Sequence, residues 1–299
     1  MRVFLFLLIS FSIQSQTILL KGKLIGEVSK EPVVYANISF LEKNKGISSD
    51  EEGSFSLEID KELLQERVHI SCLNYNDTIV LASDLQNKIL KLKPKNIELE
   101  EVVLTKKVER EFVVDKYRRK DIKSGFGARQ RNPWIVTKYF KPNKKHENTP
   151  YVKNVIVYFT SITGRRKSKF RIRLFKIDSI TGNPSDDIIK ENIIAHSRVR
   201  DGKVEIDVSK YNIEFPEEGF FVGLERLHIP FNFYEYSYTM EGKGRKKYVA
   251  KAVSPTFGAA YTKDTIRIFS KGKWRKYFYP KEFYKGNSIQ PAISLTLSN

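Results

Sequence analysis

Gly46-Ile-Ser-Ser-Asp50-Glu-Glu-Gly53-Ser-Phe55-Ser-Leu57 is the stretch on which the fold turns. Aspartate accepts hydrogen bonds from backbone N–H groups just ahead of it, and glycine takes a positive φ without steric penalty, so Asp50–Gly53 reads as a tight turn. Beyond the turn, Phe55, Leu57 and Ile59 alternate with polar residues. Before it, Ala36, Ile38 and Phe40 alternate with Asn37 and Ser39. A period of two lets a strand bury one face and leave the other polar. Working outward, Ile18-Leu19-Leu20 leads through Gly22 into a strand ending at Ile25, and Lys30-Glu31-Pro32 makes a turn in which proline fixes φ. Further strands are predicted at Val68–Leu73, Ile79–Leu81 and Ile89–Leu92. Short strands separated by turn signals from Thr17 to Leu104 define an all-β sandwich.

Gly22, Pro32, Ala36-Asn37-Ile38, Asp50, Gly53, Phe55 and Cys72-Leu-Asn74-Tyr75 together carry a resemblance. The segment resembles the carboxypeptidase D regulatory-like domain, a small transthyretin-like β-sandwich common in envelope proteins of Bacteroidetes. The family usually has glycine before the tyrosine; Asn74 stands there, and asparagine tolerates positive φ better than most residues. The resemblance implies an accessory module without peptidase activity. Leu99-Glu-Glu101-Val-Val103-Leu-Thr105 is similar to the segment that follows this module in TonB-dependent receptors, but the remaining length is too short for the barrel of such a receptor.

Met1-Arg2, an apolar run from Val3 to Ile13 and then Gln14-Ser15-Gln16 have the layout of a secretory signal cleaved after Ser15. The run is well short of the ~20 residues that span a bilayer, and no later segment is long or apolar enough, so no transmembrane segment is expected in the mature chain. Cys72 is the lone cysteine, which excludes an internal disulfide and a cysteine-based metal site. It shares a strand face with Val68 and Ile70 and reads as a buried, inert thiol. The expected location is periplasmic, outer-membrane-associated or extracellular.

The chain has 299 residues, with 53 Lys+Arg against 35 Asp+Glu and a formal charge of +18. Export removes nucleic acid as the partner such an excess would suggest. An anionic polysaccharide, lipopolysaccharide or an acidic protein surface fits better, and a spread of lysines serving solubility explains much of the charge.

The expected organisation is a signal peptide at 1–15, the regulatory-like sandwich at 16–105, a short helical linker at 106–131 and a jelly-roll-like β-sandwich at 132–299. The linker reading rests on Val108 to Ile122, which is charged with apolar residues at roughly helical intervals. In the second sandwich, strands are predicted at Ile135–Phe140, Val152–Phe159, Phe170–Ile177, Lys203–Val208, Gly219–Glu225, Thr265–Phe269, Lys273–Tyr277 and Ala292–Leu297. The segments around Phe170–Pro184 and Tyr211–Phe221 look like the uncharacterised second domain of secreted proteins that carry the same first module. The fold class is therefore mostly β, a transthyretin-like sandwich followed by a jelly-roll-like one.

No catalytic motif stands out. His69, His146, His196 and His228 are scattered, with no short spacing that presents two zinc ligands from one element. There is no Gly-x-Ser-x-Gly elbow, no glycine-rich phosphate loop and no cofactor implied. The acid pairs Asp186-Asp187 and Glu217-Glu218 sit in turns where adjacent side chains diverge. Asp178-Ser-Ile-Thr181-Gly182-Asn183 reads first as a turn, with structural calcium as the alternative. Two features suit binding. Tyr234, Tyr236, Trp274 and Tyr277 offer flat faces for a sugar ring, with a tyrosine-rich core as the bland alternative. Arg165, Arg166, Lys167, Lys246 and Lys247 lie in basic loops able to grip an anion. The expectation is a non-enzymatic exported envelope protein, a scaffold module joined to a sandwich that binds a protein partner or an envelope glycan. The alternatives are a hydrolase of an envelope polymer with dispersed catalytic carboxylates, and a structural subunit of an outer-membrane assembly.

Overall fold

The computed structural model describes residues 16–95, 110–127, 132–160, 167–197, 202–240, 242, 245–277 and 286–299. The expected signal, 1–15, lies outside them. Helical structure among the described residues is confined to short 3-10 turns, and no helix there is long and apolar enough to cross a membrane.

The first unit comprises β1 (Thr17–Gly26), β2 (Asn37–Phe40), β3 (Gly46–Ser48), β4 (Ser54–Asp60), β5 (Arg67–Ser71), β6 (Thr78–Leu81) and β7 (Lys88–Leu92). Sheet β4-β1-β7 faces sheet β3-β2-β5-β6. The alternating aliphatics meet between them: Leu20, Leu24, Ile38, Phe40, Ile59, Val68 and Ile70 are all buried in one core. Each such side chain contributes roughly 1.5–3 kcal/mol by leaving water. Cys72 is buried in the same cluster, and burial raises its thiol pKa, as an inert packing residue requires. The Asp50 turn forms as expected. Asp50 Oδ1 accepts from Glu52 N at 3.0 Å and Ser54 N at 2.7 Å. Gly53 has φ +73°, and Asn74 also takes a positive φ, 67°.

The second unit runs through β8 (Glu111–Val114), β9 (Ser124–Phe126), β10 (Trp134–Phe140), β11 (Tyr151–Tyr158), β12 (Ser168–Ile177), β13 (Pro184–Asp187), β14 (Ile193–Ser197) and β15 (Lys203–Asp207). It continues through β16 (Phe220–Arg226), β17 (Phe233–Thr239), β18 (Lys247–Val253), β19 (Phe257–Thr262), β20 (Ile266–Ser270), β21 (Lys273–Tyr277), β22 (Ser288–Pro291) and β23 (Ile293–Ser298). A seven-stranded sheet, β13-β12-β16-β10-β20-β21 with β14 also on β12, packs over sheets β15-β11-β23-β8 and β22-β19-β9. Phe170, Ile172, Leu174, Val222 and Leu224 from the first meet Val155, Val157, Ile293 and Leu295 from the second. The chain is thus mostly β and built of β-sandwiches, as the alternation predicts.

The linker departs from expectation. Where 106–131 is described it is not an α-helix: β8 pairs with β23, Glu111 opposite Ser298 and Val114 opposite Leu295. A single 3-10 turn at Arg119–Asp121 and β9 follow. The apolar spacing fits either period, and the alternation of Phe112 and Val114, both packed on the core, wins because the edge of β23 offers a ladder of hydrogen bonds.

The two units meet on the outer face of β12 and β16. Arg171 and Glu225 are wholly buried there at 2.8 Å. Arg171 Nη2 donates to the carbonyl of Tyr35 at 3.1 Å, and Asn37 Nδ2 donates to Glu225 Oε1 at 2.7 Å. Arg173 grips Asp187 and faces Glu225 as well. Burial opposes its charge, but Asp187 and Glu225 outweigh that and hold its pKa above the ordinary value. Ser48 N donates to His228 O at 3.0 Å, which covers the edge of β3.

Candidate functional site

β17 and β18 form a two-stranded sheet of their own, from Phe233 opposite Val253 to Thr239 opposite Lys247. The ribbon is launched by a 3-10 turn, Pro230–Asn232, in which buried Asn232 is clamped. Its Nδ2 donates to Lys169 O and Leu227 O at 2.7 and 2.8 Å, and its Oδ1 accepts from Lys169 N at 2.8 Å. A side chain with three satisfied contacts fixes the angle at which the strands leave the sandwich.

Period two puts Tyr234, Tyr236 and Tyr238 on one face, and Tyr248 stands opposite Tyr238. Tyr234 and Tyr236 face Ala252 and Ala250, small enough for the rings to lie across them. The result is a ladder with centroid separations of 6.1, 6.0 and 5.7 Å and interplanar angles of 38°, 40° and 32°. Burial and then the neighbouring Tyr236 raise the Tyr234 phenol pKa, so it is a neutral hydrogen-bond donor at physiological pH. The tip carries exposed Arg245, Lys246 and Lys247, with Lys246 Nζ 5.5 Å from the Tyr248 ring. The opposite face exposes Phe233, Glu235 and Val249. Such a ladder supplies flat apolar faces, phenolic hydroxyls and a cationic end.

Of the residues expected to bind, Tyr234, Tyr236, Lys246 and Lys247 come together here. Trp274 lies on the separate β20–β21 hairpin, its ring edge-on to Phe175 and Phe269 at 5.4 and 5.3 Å, where it serves packing. Tyr277 ends that hairpin opposite Ile266. Lys167 is exposed ahead of β12, and Arg165 and Arg166 lie outside the described residues. Tyr238 and Arg245, from the same aromatic segment and basic loop, join the ladder, and Tyr248 on the return strand completes it. Their signal was present: tyrosine at every second position of 234–238, then Tyr248-x-Ala250-x-Ala252 on the return strand.

Among the described residues, hydrogen bonds hold the carboxyl pKa of Glu51, Asp121, Asp178, Glu191 and Asp207 below the ordinary value, away from a general acid. Asp178 Oδ1 takes Ile180 N, Thr181 N and Thr181 Oγ1 at 3.1, 2.7 and 2.9 Å, so this loop is held as a turn. Among the described residues no three His, Cys, Asp or Glu side chains cluster as metal ligands. Lys138 is buried, with Nζ 2.8 Å from Asp115, 2.9 Å from Tyr117 Oη and 2.6 Å from Ile293 O. Burial draws its pKa down to about 8 against the pull of Asp115. All three contacts tie β10 to β23 and the linker, a structural pin. An open cleft of about 460 Å³ between Pro142 and Glu217 holds His146 at its wall. That ring is wedged against Phe112 and Phe215, and burial lowers its pKa.

Residues 20–104 match the family model described as CarboxypepD_reg-like domain, which covers the first sandwich. No curated protein matches the chain. Among solved structures, the chain is similar to the cysteine protease and lectin-like domains of Cwp84, a surface layer associated protein of Clostridium difficile, at 10% identity and a TM-score of 0.30. That alignment covers 56% of this chain and 32% of the other, so the chain spans about a third of that length, and the likeness carries no argument.

Proposed function

We propose that the protein is an exported, non-enzymatic binding protein whose second sandwich presents the β17–β18 ribbon to an envelope glycan. The carrying observation is the tyrosine ladder on a ribbon that pairs with no other strand among the described residues. A row of phenols suits the C–H faces of sugar rings, and Arg245, Lys246 and Lys247 favour an acidic chain over a neutral one. The regulatory-like sandwich acts as a scaffold, clamped to the outer face of the second unit. Export rests on the Val3–Ile13 run and its flanks.

The test is binding of the chain lacking residues 1–15 to a glycan and lipopolysaccharide array at two salt concentrations. Saturable binding that survives high salt and weakens at least about tenfold in Tyr236→Ala, ~1.4 kcal/mol, supports an aromatic glycan site. Binding that disappears with salt and ignores Tyr236 reflects charge alone and sinks the reading. A second reading, docking of an envelope protein, is favoured by Val249, 65% exposed on the opposite face of the ribbon. Val249→Asp then abolishes capture of that partner while Tyr236→Ala leaves it intact.

A further inference from the structure

Arg226 closes β16 at the foot of the ribbon and is wholly buried. Its guanidinium lies 4.6 Å from the Trp134 ring, and Nη1 donates at 3.1 Å to the carbonyl of Val253, the last residue of β18. Nε and Nη2 are buried and make no hydrogen bond, and neither does Trp134 Nε1 on the ring beneath them. The contrast with the rest of the sheet is sharp. Arg171 has Glu225 and Arg173 has Asp187, while the ionisable group that acts on Arg226 is Tyr234, the first rung of the ladder. Burial without a counter-charge draws its pKa down to about 9, which still leaves it a cation at neutral pH.

A buried cation with idle donors is strongly unfavourable unless an anion meets it. The idle edge, Nε with Nη2, is the edge of a guanidinium that forms paired hydrogen bonds to two oxygens of a carboxylate or phosphate. We propose that Arg226 Nε and Nη2, assisted by Trp134 Nε1, form an oxyanion-binding site at the foot of the ribbon. The oxyanion has two possible sources with the same chemistry: a small free anion, or the acid group of a sugar whose ring rests on Tyr234. The site stands on its own donors. Only the second source rests on the glycan reading above.

The experiment is thermal unfolding of the chain lacking residues 1–15, titrated with sodium phosphate and separately with tri-galacturonate, each against sodium chloride at matched ionic strength. A ligand that binds only the folded state raises the midpoint saturably. The wild type is expected to respond beyond the chloride control, and Arg226→Met to lose that response entirely. Trp134→Phe, which keeps an aromatic face beneath the guanidinium and removes the donor, is expected to need roughly three- to tenfold more anion. If phosphate acts and Tyr236→Ala leaves its effect unchanged, the site takes a free anion. If tri-galacturonate binds more tightly and Tyr236→Ala removes that advantage, the anion arrives on a sugar. Both outcomes support the site. A wild-type response equal to that of chloride, or equal to that of Arg226→Met, overturns it. Where Arg226→Met does not fold, Trp134→Phe decides: an unchanged anion affinity overturns the proposal. Because Tyr236→Ala alone reports on the ladder, loss of binding to the glycan array there with an intact phosphate response separates the two readings.

Discussion

Gly53 and Lys138 show how far single residues are bound by their surroundings. At Gly53 the backbone has φ +73°, and a Cβ would stand 2.4 Å from the Leu24 carbonyl oxygen. Gly53→Ala must both strain φ and push back β1, so a loss of ~2 kcal/mol in urea unfolding is expected. Gly202, with φ +63° and open space around it, is the control and should lose less. Lys138 makes a pH-dependent prediction. Its folded pKa of about 8 lies below the ordinary lysine value of 10.5, so the folded state disfavours the charged form. Below pH 8 both states are protonated and the full penalty is present. Between pH 8 and 10.5 the folded state sheds its proton first, and the penalty fades as pH rises. The stability of the wild type relative to Lys138→Met should therefore rise by up to ~3 kcal/mol across that window, at 1.36 kcal/mol per unit. A flat difference between pH 7 and 10 would show that Lys138 stays charged at its site.

At the scale of elements, two aromatic hairpins do different work. The ribbon's tyrosines neighbour one another opposite Ala250 and Ala252, whereas Trp274 joins β21 to Phe175 on β12. Tyr236→Ala is expected to change stability by less than ~0.5 kcal/mol while weakening the ligand. Trp274→Ala should lose ~3 kcal/mol and leave the ligand affinity of the remaining folded protein unchanged. Chemical unfolding beside glycan binding for both variants checks the pair; the reverse pattern would move the site to β20–β21. The sequence distinguished them poorly, because aromatic content alone does not say which ring has a core to enter. Strands with one buried face were legible, as in Ala36–Phe40 or Phe170–Ile177, since the period of two is written in their apolar residues. The ribbon was legible only as composition, because its tyrosines are half-buried on one face and Phe233 and Val249 interrupt the polar pattern of the other. The linker is ambiguous in sequence because Val108 to Ile122 satisfies both periods, and the edge of β23 that decides the matter lies nearly two hundred residues away.

Across the whole molecule, the feature least visible in sequence is the surface that joins its two sandwiches. Arg171 and Arg173 alternate with Phe170, Ile172 and Leu174, the usual mark of a face turned to water, and Asn37 has the same place on β2. Folding buries that face because the first sandwich settles on it, and the charges are compensated within the contact by Glu225 and Asp187. A buried pair contributes little net stability over an apolar replacement, but removing one partner leaves a stranded charge worth about 3–5 kcal/mol. Glu225→Gln should therefore destabilise the protein by ~3 kcal/mol. Arg171→Met with Glu225→Leu should recover most of that loss, which a double-mutant cycle in urea would measure. Undocking would also release the edge of β3, now capped through Ser48 and His228, and uncover the carbonyls of Val34 and Tyr35 that Arg171 now holds. Limited proteolysis of Glu225→Gln should then cut between the sandwiches faster than in the wild type. If Glu225→Gln is as stable and as resistant as the wild type, the apolar contact of Tyr35 with Leu227 and Ile229 holds the units together by itself, and the charges only fix their register.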